Sequence, residues 1–145
     1  MASVKTVKDI LKGRGSEIWS VSPTTTAYEA LVVMAEKNIG AVLVFENEKL
    51  VGVFSERDYA RKVILKGKSS KDTNVSELMT QDVFYVKPEN TLDECMALMT
   101  SKHIRHLPVF DNKQIKGIIT IGDVVKEVIS EQEIMIKDLE DSIDL

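Results

Sequence analysis

The sequence has a single cysteine, Cys95, which excludes a disulfide within the chain and gives no support for a structural zinc site. Its two histidines, His103 and His106, are close in sequence, and no other residues complete the spacing of a metal site. The formal net charge is −4, so the chain lacks the basic surface that is typical of nucleic-acid-binding proteins. Composition therefore argues against a disulfide scaffold, a metalloprotein and a nucleic-acid partner.

The chain also lacks the features of a membrane protein and of an enzyme. No apolar stretch approaches the length needed to span a bilayer, and the first residues contain no apolar signal core. We therefore expect a cytoplasmic protein without a membrane partner. No set of nucleophile, base and orienting group can be recognised, which predicts that the protein is not an enzyme.

The same pattern occurs twice in the chain. Landmark residues recur at an offset of 65 positions: Pro23 and Pro88, Met34 and Met99, Ile39 and Ile104, Phe45 and Phe110, Gly52 and Gly117, and Asp58 and Asp123. Two copies are too few for a solenoid, so the duplication predicts two similar repeats related by a pseudo-two-fold axis.

Each copy is predicted to run helix, strand, helix, strand, strand, helix. In the first copy, apolar residues from Ala27 to Ala35 follow a helical period, and the apolar runs Ala41–Phe45 and Leu50–Phe54 flank a polar turn. In the second copy, the helical stripe assigned to the core is Leu92, Cys95, Met96 and Met99. Because each sheet has one apolar face, the two sheets are expected to pack together with the helices outside, in an α/β fold of the α+β type.

These elements predict three segments. Residues 1–66 form the first repeat, including a short helix from Val4 to the glycines at 13 and 15. Residues 67–74 form a basic, hydroxyl-rich connection, and residues 75–145 form the second repeat. The last helix is expected to start near Gly122 and to end in the acidic tail Asp138–Leu145. Since it runs past the end of the first copy's helix, we expect it to dock on the other repeat or on another chain.

Three motifs connect the chain to a known family. They are the Val-x-Pro-x-x-Thr starts at Val21 and Val86, the run Ile-Arg-His-Leu-Pro-Val at Ile104–Val109, and the segments Gly52–Asp58 and Gly117–Asp123. These motifs resemble the cystathionine-β-synthase (CBS) domain family as a tandem pair, and more narrowly the small stand-alone bacterial CBS-pair proteins. The resemblance implies two β-α-β-β-α repeats, adenosine nucleotides bound in two clefts between them, and a homodimer.

The motif residues also suit a nucleotide on chemical grounds. A carboxylate such as that of Asp58 or Asp123 can accept hydrogen bonds from both ribose hydroxyls. Ser55 and Thr120 fall at helix starts, where free amides and the positive end of the helix dipole favour a phosphate. The sequence therefore predicts a contact to ribose and a contact to phosphate in each repeat.

The resemblance implies that each cleft combines the aspartate of one repeat with the strand edges of the other. The first predicted cleft consists of Thr25, Ala30, Ile39, Gly40, Ala41, Thr120 and Asp123. The second consists of Ser55, Arg57, Asp58, Arg61, Cys95, Ile104, Arg105, His106 and Leu107. Because the second group contains three arginines and a histidine, whereas Gly122 replaces Arg57 in the first, a phosphate-bearing ligand is expected to prefer the second cleft.

The same residues allow plainer interpretations. The spacings Ser55-x-x-Asp58 and Thr120-x-x-Asp123 also fit helix capping boxes, and such a cap would aim the carboxylate as well as stabilise the helix. The arginines could form a solvated face, and Cys95 could be a core residue. The connection Lys66–Thr73 could instead become ordered around a ligand phosphate.

We therefore expect a regulatory module without chemistry of its own. AMP is the first candidate for its ligand, and ADP, ATP and NAD(H) are the alternatives. Its state would be passed to an unidentified regulated protein or to its own assembly as a homodimer. The alternative is a structural or interaction dimer whose clefts bind nothing, which the long last helix with its acidic end favours.

Overall fold

The structure of the chain is a computed structural model that describes residues 5–14 and 18–143. The predicted helix start at Val4, the helix end at Gly15 and the last two residues of the acidic tail lie outside these ranges. The chain divides into two compact units. They are the first-repeat unit, Ile18–Val83, and the second-repeat unit, which combines Met1–Glu17 with Phe84–Leu145.

Both units contain helices and strands, which confirms the α+β fold. The elements in chain order are α1 (Val7–Arg14), β1 (Ser20–Val21), α2 (Ala27–Lys37), β2 (Ala41–Glu46), β3 (Lys49–Ser55), α3 (Glu56–Tyr59), α4 (Leu92–Lys102), β4 (His106–Asp111), β5 (Gln114–Thr120) and α5 (Ile121–Ile143). A π-helical turn, Ala60–Ile64, continues α3, and a 3₁₀ turn, Val75–Glu77, follows the connection.

The backbone repeats itself at the offset found in the sequence. Thr26 and Thr91 cap α2 and α4, since each hydroxyl accepts a hydrogen bond at 3.1 Å from the backbone N–H three residues on. Both helices end at a left-handed residue, Asn38 with φ 54° and His103 with φ 55°. The hairpin turns match as well, with φ values of 52° and 65° at Asn47 and Glu48, and of 51° and 65° at Asn112 and Lys113. The two copies therefore share their caps and turns as well as their sequence pattern.

The first-repeat unit is built on a three-stranded sheet in the order β1-β2-β3. Strand β1 is parallel to β2, and β2 forms an antiparallel hairpin with β3. Helix α2 packs most of its predicted stripe on this sheet, although Ala35 at the end of the stripe is exposed. The core is made of Ala27, Ala30, Met34, Val42, Val44, Phe54, Val63, Val75 and Leu78. Burial of each large apolar side chain contributes about 1.5–3 kcal/mol, so this core holds the helix on the sheet.

The first-repeat unit extends beyond the predicted end of the first repeat at residue 66. The backbone N–H of Val75 donates to the carbonyl oxygen of Thr25 at 2.8 Å, and that of Thr80 donates to Val53 at 2.9 Å. Val75 and Leu78 are also buried in the core of this unit. The compact unit therefore ends at Val83, because the start of the predicted second repeat pairs with the first repeat's backbone.

Helix α1 belongs to the second-repeat unit, although it precedes the first repeat in sequence. The backbone N–H of Val7 donates to the carbonyl oxygen of Asn90 at 2.9 Å, and that of Leu92 donates to Lys5 at 3.1 Å. These bonds join the start of α1 to the start of α4. The core of the unit is Val7, Ile10, Val86, Leu92, Cys95, Met99, Leu107, Val109, Ile119 and Val124. Contacts rather than sequence order thus set the limits of the compact units, which differ from the predicted segments 1–66, 67–74 and 75–145.

The second repeat departs from the predicted pattern in two places. Its first strand is reduced to one parallel bridge between Val86 and Val109, although β4 and β5 form the expected hairpin. The assignment of Met96 to the core was wrong, because 37% of its surface is exposed, whereas Cys95 and Met99 on the same helix are buried. Met96 lies one residue from the buried stripe, where the helical period turns it away from the sheet.

Helix α5 is a single helix of 23 residues that starts at Ile121, one residue before the predicted start. Several of its apolar side chains are exposed, including Val125, Ile129, Ile136 and Leu139. Within the described part of the chain, no helix has both the length and the apolar content required to cross a membrane.

We predict that Gly52→Ala destabilises the protein by about 1–3 kcal/mol, because a β-carbon at Gly52 would lie 2.5 Å from Sδ and 2.8 Å from Cγ of Met79. Gly13→Ala is the matched control, since no atom lies within 4 Å of the added carbon, and it should be neutral or slightly stabilising. Denaturant unfolding measures both. Combining Gly52→Ala with Met79→Ala should cost less than the sum of the single changes, and full additivity would contradict the proposed clash.

Candidate functional site

The start of α3 carries the first candidate motif as a reciprocal capping box. The backbone N–H and the hydroxyl of Ser55 both donate to Oδ2 of Asp58 at 3.0 Å, and the N–H of Asp58 donates back to the Ser55 hydroxyl at 3.1 Å. The Asp58 side chain is only 16% exposed. These bonds fix the carboxylate at the first turn of the helix, which confirms the capping interpretation of this motif.

The start of α5 repeats this arrangement in the second-repeat unit. The backbone N–H of Thr120 donates to Oδ2 of Asp123 at 2.8 Å, and the N–H of Asp123 donates to the Thr120 hydroxyl at 3.1 Å. Both carboxylates are half-buried. Each unit therefore presents one aspartate in a fixed orientation at a helix N-terminus, where the helix dipole favours anions.

Each motif lies beside the start of the first strand of the hairpin in its own unit, β2 or β4. The backbone N–H of Glu56 donates to the carbonyl oxygen of Gly40 at 3.0 Å, and Ala41 faces Ser55 across the hairpin. In the second-repeat unit the N–H of Ile121 donates to Arg105 at 2.9 Å, and His106 faces Thr120. We call these two places the hairpin edges, which are residues 39–41 with 55–58 and residues 104–106 with 120–123.

The hairpin edges bring together residues that the sequence assigns to different clefts. Ile39, Gly40 and Ala41 lie beside Ser55 and Asp58 within the first-repeat unit, and Ile104–His106 lie beside Thr120 and Asp123 within the second. The crosswise grouping takes residues from both units and stays a prediction. Among the described residues, no group of three or more His, Cys, Asp or Glu side chains is placed to hold a metal ion.

The cations at the two motifs differ. Arg57 and Arg61 are exposed near the start of α3. Lys62, which the sequence prediction omitted, lies 3.4 Å from Oδ1 of Asp58 and donates to the carbonyl oxygen of Leu78 at 2.9 Å. The spacing of Asp58 and Lys62, four residues apart on a helix, is the signal that could have identified it.

The second-repeat unit has the opposite charge at the matching position. Glu127 stands 65 residues after Lys62, and its Oε2 accepts from Nζ of Lys5 at 2.9 Å. Gly122 stands where Arg57 stands in the first repeat. The motif at Asp123 therefore has an acid within one helical turn, whereas the motif at Asp58 has a lysine there.

Four of the predicted lining residues have their side chains in the protein interior. Ala30, Cys95 and Leu107 have no exposed surface, and 3% of Ala41 is exposed. The side chains of Ile39 and Ile104 are half-buried, as is Thr25, whose hydroxyl accepts from the N–H of Ser22 at 3.1 Å. In this structure Ala30, Cys95 and Leu107 therefore present no surface to a ligand.

The connection between the repeats is ordered by the protein's own hydrogen bonds. The hydroxyl of Thr73 donates to the carbonyl oxygen of Ser69 at 2.7 Å, and the N–H of Tyr28 in α2 donates to Ser70 at 2.9 Å. The N–H of Lys68 donates to Val63 at 2.9 Å. A ligand phosphate is therefore not required to hold this segment.

The sequences of both repeats match the model of one protein family. The model of the CBS domain matches residues 7–65 and again residues 75–130. The chain belongs to the CBS domain family. The predicted tandem pair is thus confirmed, and CBS pairs are regulatory modules without catalytic activity of their own.

Solved and curated CBS proteins are similar to this chain. A candidate signal-transduction protein with CBS domains from Burkholderia ambifaria is 50% identical, has a TM-score of 0.86, and is matched over 88% of this chain and 96% of its own. The CBS domain-containing protein CBSX3 of Arabidopsis thaliana, a mitochondrial protein, is 39% identical over 87% of this chain, which covers 66% of that relative. The CBS pair of protein MJ0100, solved with 5-methylthioadenosine and S-adenosylmethionine, is 25% identical with a TM-score of 0.75, over 86% of this chain and 99% of its own.

We predict that Cys95 resists alkylation in the folded protein. Burial raises the pKa of its thiol to about 11, and the neighbouring charge of Glu94 adds to the effect. The thiolate that reacts is therefore scarce at pH 8, and the sulfur has no exposed surface. Labelling with a thiol reagent should be slow in buffer and complete after unfolding in denaturant. Rapid labelling of the folded protein would place Cys95 at an accessible surface.

Proposed function

We propose that this CBS pair is a regulatory module that binds an adenosine-containing ligand through Asp58 and Asp123. AMP is the first candidate, and ATP and NAD(H) are the alternatives. The bound state would be passed to a regulated partner protein or to the chain's own assembly as a homodimer, in the cytoplasm. The observation that carries the proposal is the pair of capping boxes, which present one oriented carboxylate at the N-terminus of α3 and one at that of α5.

The carboxylate of Asp58 has acceptor capacity left for a ribose. Oδ2 of Asp58 accepts both bonds from Ser55, whereas Oδ1 has Lys62 at 3.4 Å. Since a carboxylate offers about four acceptor positions, Asp58 can receive a ribose hydroxyl without losing its cap. The adjacent helix N-terminus favours a phosphate, because free backbone N–H groups and the helix dipole both attract anions.

Charge distinguishes the two motifs as phosphate sites. Arg57, Arg61 and Lys62 follow Ser55 within two helical turns, whereas Gly122, Lys126 and Glu127 occupy the matching positions after Thr120. A charge-assisted hydrogen bond is worth about 1.5–3 kcal/mol. A phosphate should therefore bind at the Asp58 motif, and the Asp123 motif should suit an uncharged or cationic tail.

The choice of an adenosine ligand draws support from a solved relative. The CBS pair of MJ0100 holds 5-methylthioadenosine and S-adenosylmethionine, which share the adenosine group and carry no phosphate. The cations near Asp58 are the reason to expect a phosphate here in addition. A ligand that favours one state of the protein by a factor of about ten, or about 1.4 kcal/mol, would shift a balanced equilibrium between two states.

The test is calorimetric titration of AMP, ATP, NADH and adenosine into the wild-type protein and two variants. Asparagine can still accept from the backbone cap but has only one acceptor oxygen, so both changes should weaken binding. AMP binding should be weakened more by Asp58→Asn than by Asp123→Asn, because the cations that favour its phosphate lie near Asp58. The proposal fails if none of these compounds binds below millimolar concentration and neither variant changes any titration.

A second titration isolates the phosphate contact. Arg57→Ala should raise the dissociation constant of AMP about 10–100-fold, the equivalent of one charge-assisted bond, and leave adenosine binding unchanged. Lys49→Ala is the matched control, since Lys49 is also exposed but begins β3 at the end opposite Ser55. An equal loss for AMP and adenosine would mean that Arg57 supports the fold rather than the phosphate.

The alternative function, a ligand-free interaction dimer, draws support from the exposed apolar side chains of α5. Ile136 and Leu139 are 55% and 58% exposed. A protein whose melting temperature ignores added AMP and whose spectrum after purification shows no nucleotide would favour this alternative.

A further inference from the structure

The first-repeat unit has an apolar groove with a basic rim. Its volume is about 630 Å³, and it is lined by Tyr28, Leu31, Val32, Ala35, Tyr59, Ile64, Lys68, Ser69, Ser70 and Lys71. The apolar side chains come mainly from the outer face of α2, and several are exposed, with Tyr28 at 46% and Ile64 at 58%. The groove lies on the side of α2 that does not face its sheet.

The two lysines of the rim are held beside the apolar floor by the ordered connection. Nζ of Lys71 lies 4.9 Å from the centre of the Tyr28 ring, and the backbone N–H of Lys68 donates to Val63. Both lysine side chains are exposed. The groove therefore combines an apolar surface with positive charge, and an amphipathic segment of negative charge would suit it.

Helix α5 contains such a segment in the part that extends beyond the CBS match. The match ends at residue 130, and the helix continues for about 20 Å to Ile143. Apolar residues follow the helical period on one face, with Ile136 and Leu139 beyond the match, Val125 and Ile129 before its end, and Gln132 at the centre; all four apolar side chains are exposed. Such a stripe is suited to lie in an apolar groove.

Acidic residues border one side of the stripe. Glu133 and Glu140 are seven residues apart on this border, whereas Met135 and Ser142 lie on the other. Residues 131–143 contain five acidic side chains and one lysine. Two such segments placed side by side would repel each other, so charge disfavours pairing of α5 with α5 and favours a basic partner surface.

We infer that the acidic end of α5 from one copy of this chain binds in the lysine-rimmed groove of a second copy. The stripe around Ile136 and Leu139 covers the apolar floor, and Glu133 and Glu140 lie near Lys68 and Lys71. Exchange of the same contact in both directions gives a closed dimer, as two-fold symmetry requires. The inference rests on the self-association part of the proposed function and is independent of the nucleotide.

The experiment measures the dimer by sedimentation at low ionic strength, with two charge-reversed variants. Lys68→Glu with Lys71→Glu, and Glu133→Lys with Glu140→Lys, should each raise the dimer dissociation constant about tenfold or more. An equimolar mixture of the two variants should restore wild-type association, because each copy then meets a groove of the opposite charge.

The mixture also separates the proposed contact from docking within one chain. If α5 bound the groove of its own chain, the charges would have to match within each chain. Only the variant that carries all four changes would then recover the wild-type dissociation constant, and the mixture would not. That result would overturn the inference, as would a dimer that none of the four changes weakens. A wild-type chain that is monomeric at every concentration would reject self-association itself while leaving the nucleotide titrations as a separate result.

Two further variants control for net charge and for the apolar contact. Lys49→Glu with Lys113→Glu changes the net charge equally at the hairpin turns and should leave the dimer intact. Glu48 already occupies the matching turn position of Lys113 with the same φ of 65°, so glutamate is accommodated there. Ile136→Ser with Leu139→Ser should weaken the dimer at every salt concentration, and weakening by the turn variant instead would contradict the inference.

Discussion

The hydrogen bonds between a hairpin end and the first turn of the next helix organise both units of this protein. In each unit an aspartate at the third helical position accepts from the backbone N–H of the capping residue, Ser55 or Thr120. The bond satisfies an N–H group that the helix leaves open, and it also holds the carboxylate in one orientation. Under the proposed function, stability and ligand binding would use the same side chain, so the loss of either aspartate would affect both.

Both repeats contain this aspartate cap, but the charge around it differs between them. The caps, turns and left-handed helix ends recur at matching positions, but Gly122 replaces Arg57 and Glu127 replaces Lys62. Glu127 is in turn engaged by Lys5, from the segment that precedes the first repeat. The backbone of the repeat is under constraint because caps and turns need particular conformations. Exposed helix positions have no such constraint, and they can acquire different roles in the two copies.

Much of the fold and part of the site could be predicted from the sequence. The hairpins, the stripes of α2 and α4 and both capping boxes follow from local spacing, which a helix or a strand converts directly into a face. The errors and omissions concern single helix positions. Met96 was assigned to the core, although the helical period turns it away from the sheet. Lys62 was omitted, although it lies four residues after Asp58; its second partner, the carbonyl group of Leu78, is a contact that spacing does not show.

The sequence by itself determined the repeat, the family and the residues that cap α3 and α5, because these follow from spacings within a few positions along the chain. Tertiary structure decided which segments form one body. Helix α1 joins the second repeat through the carbonyl oxygen of Asn90, and Val75 joins the first through that of Thr25. Backbone groups at such places are satisfied by partners far away in sequence, and no local pattern records which partner that is.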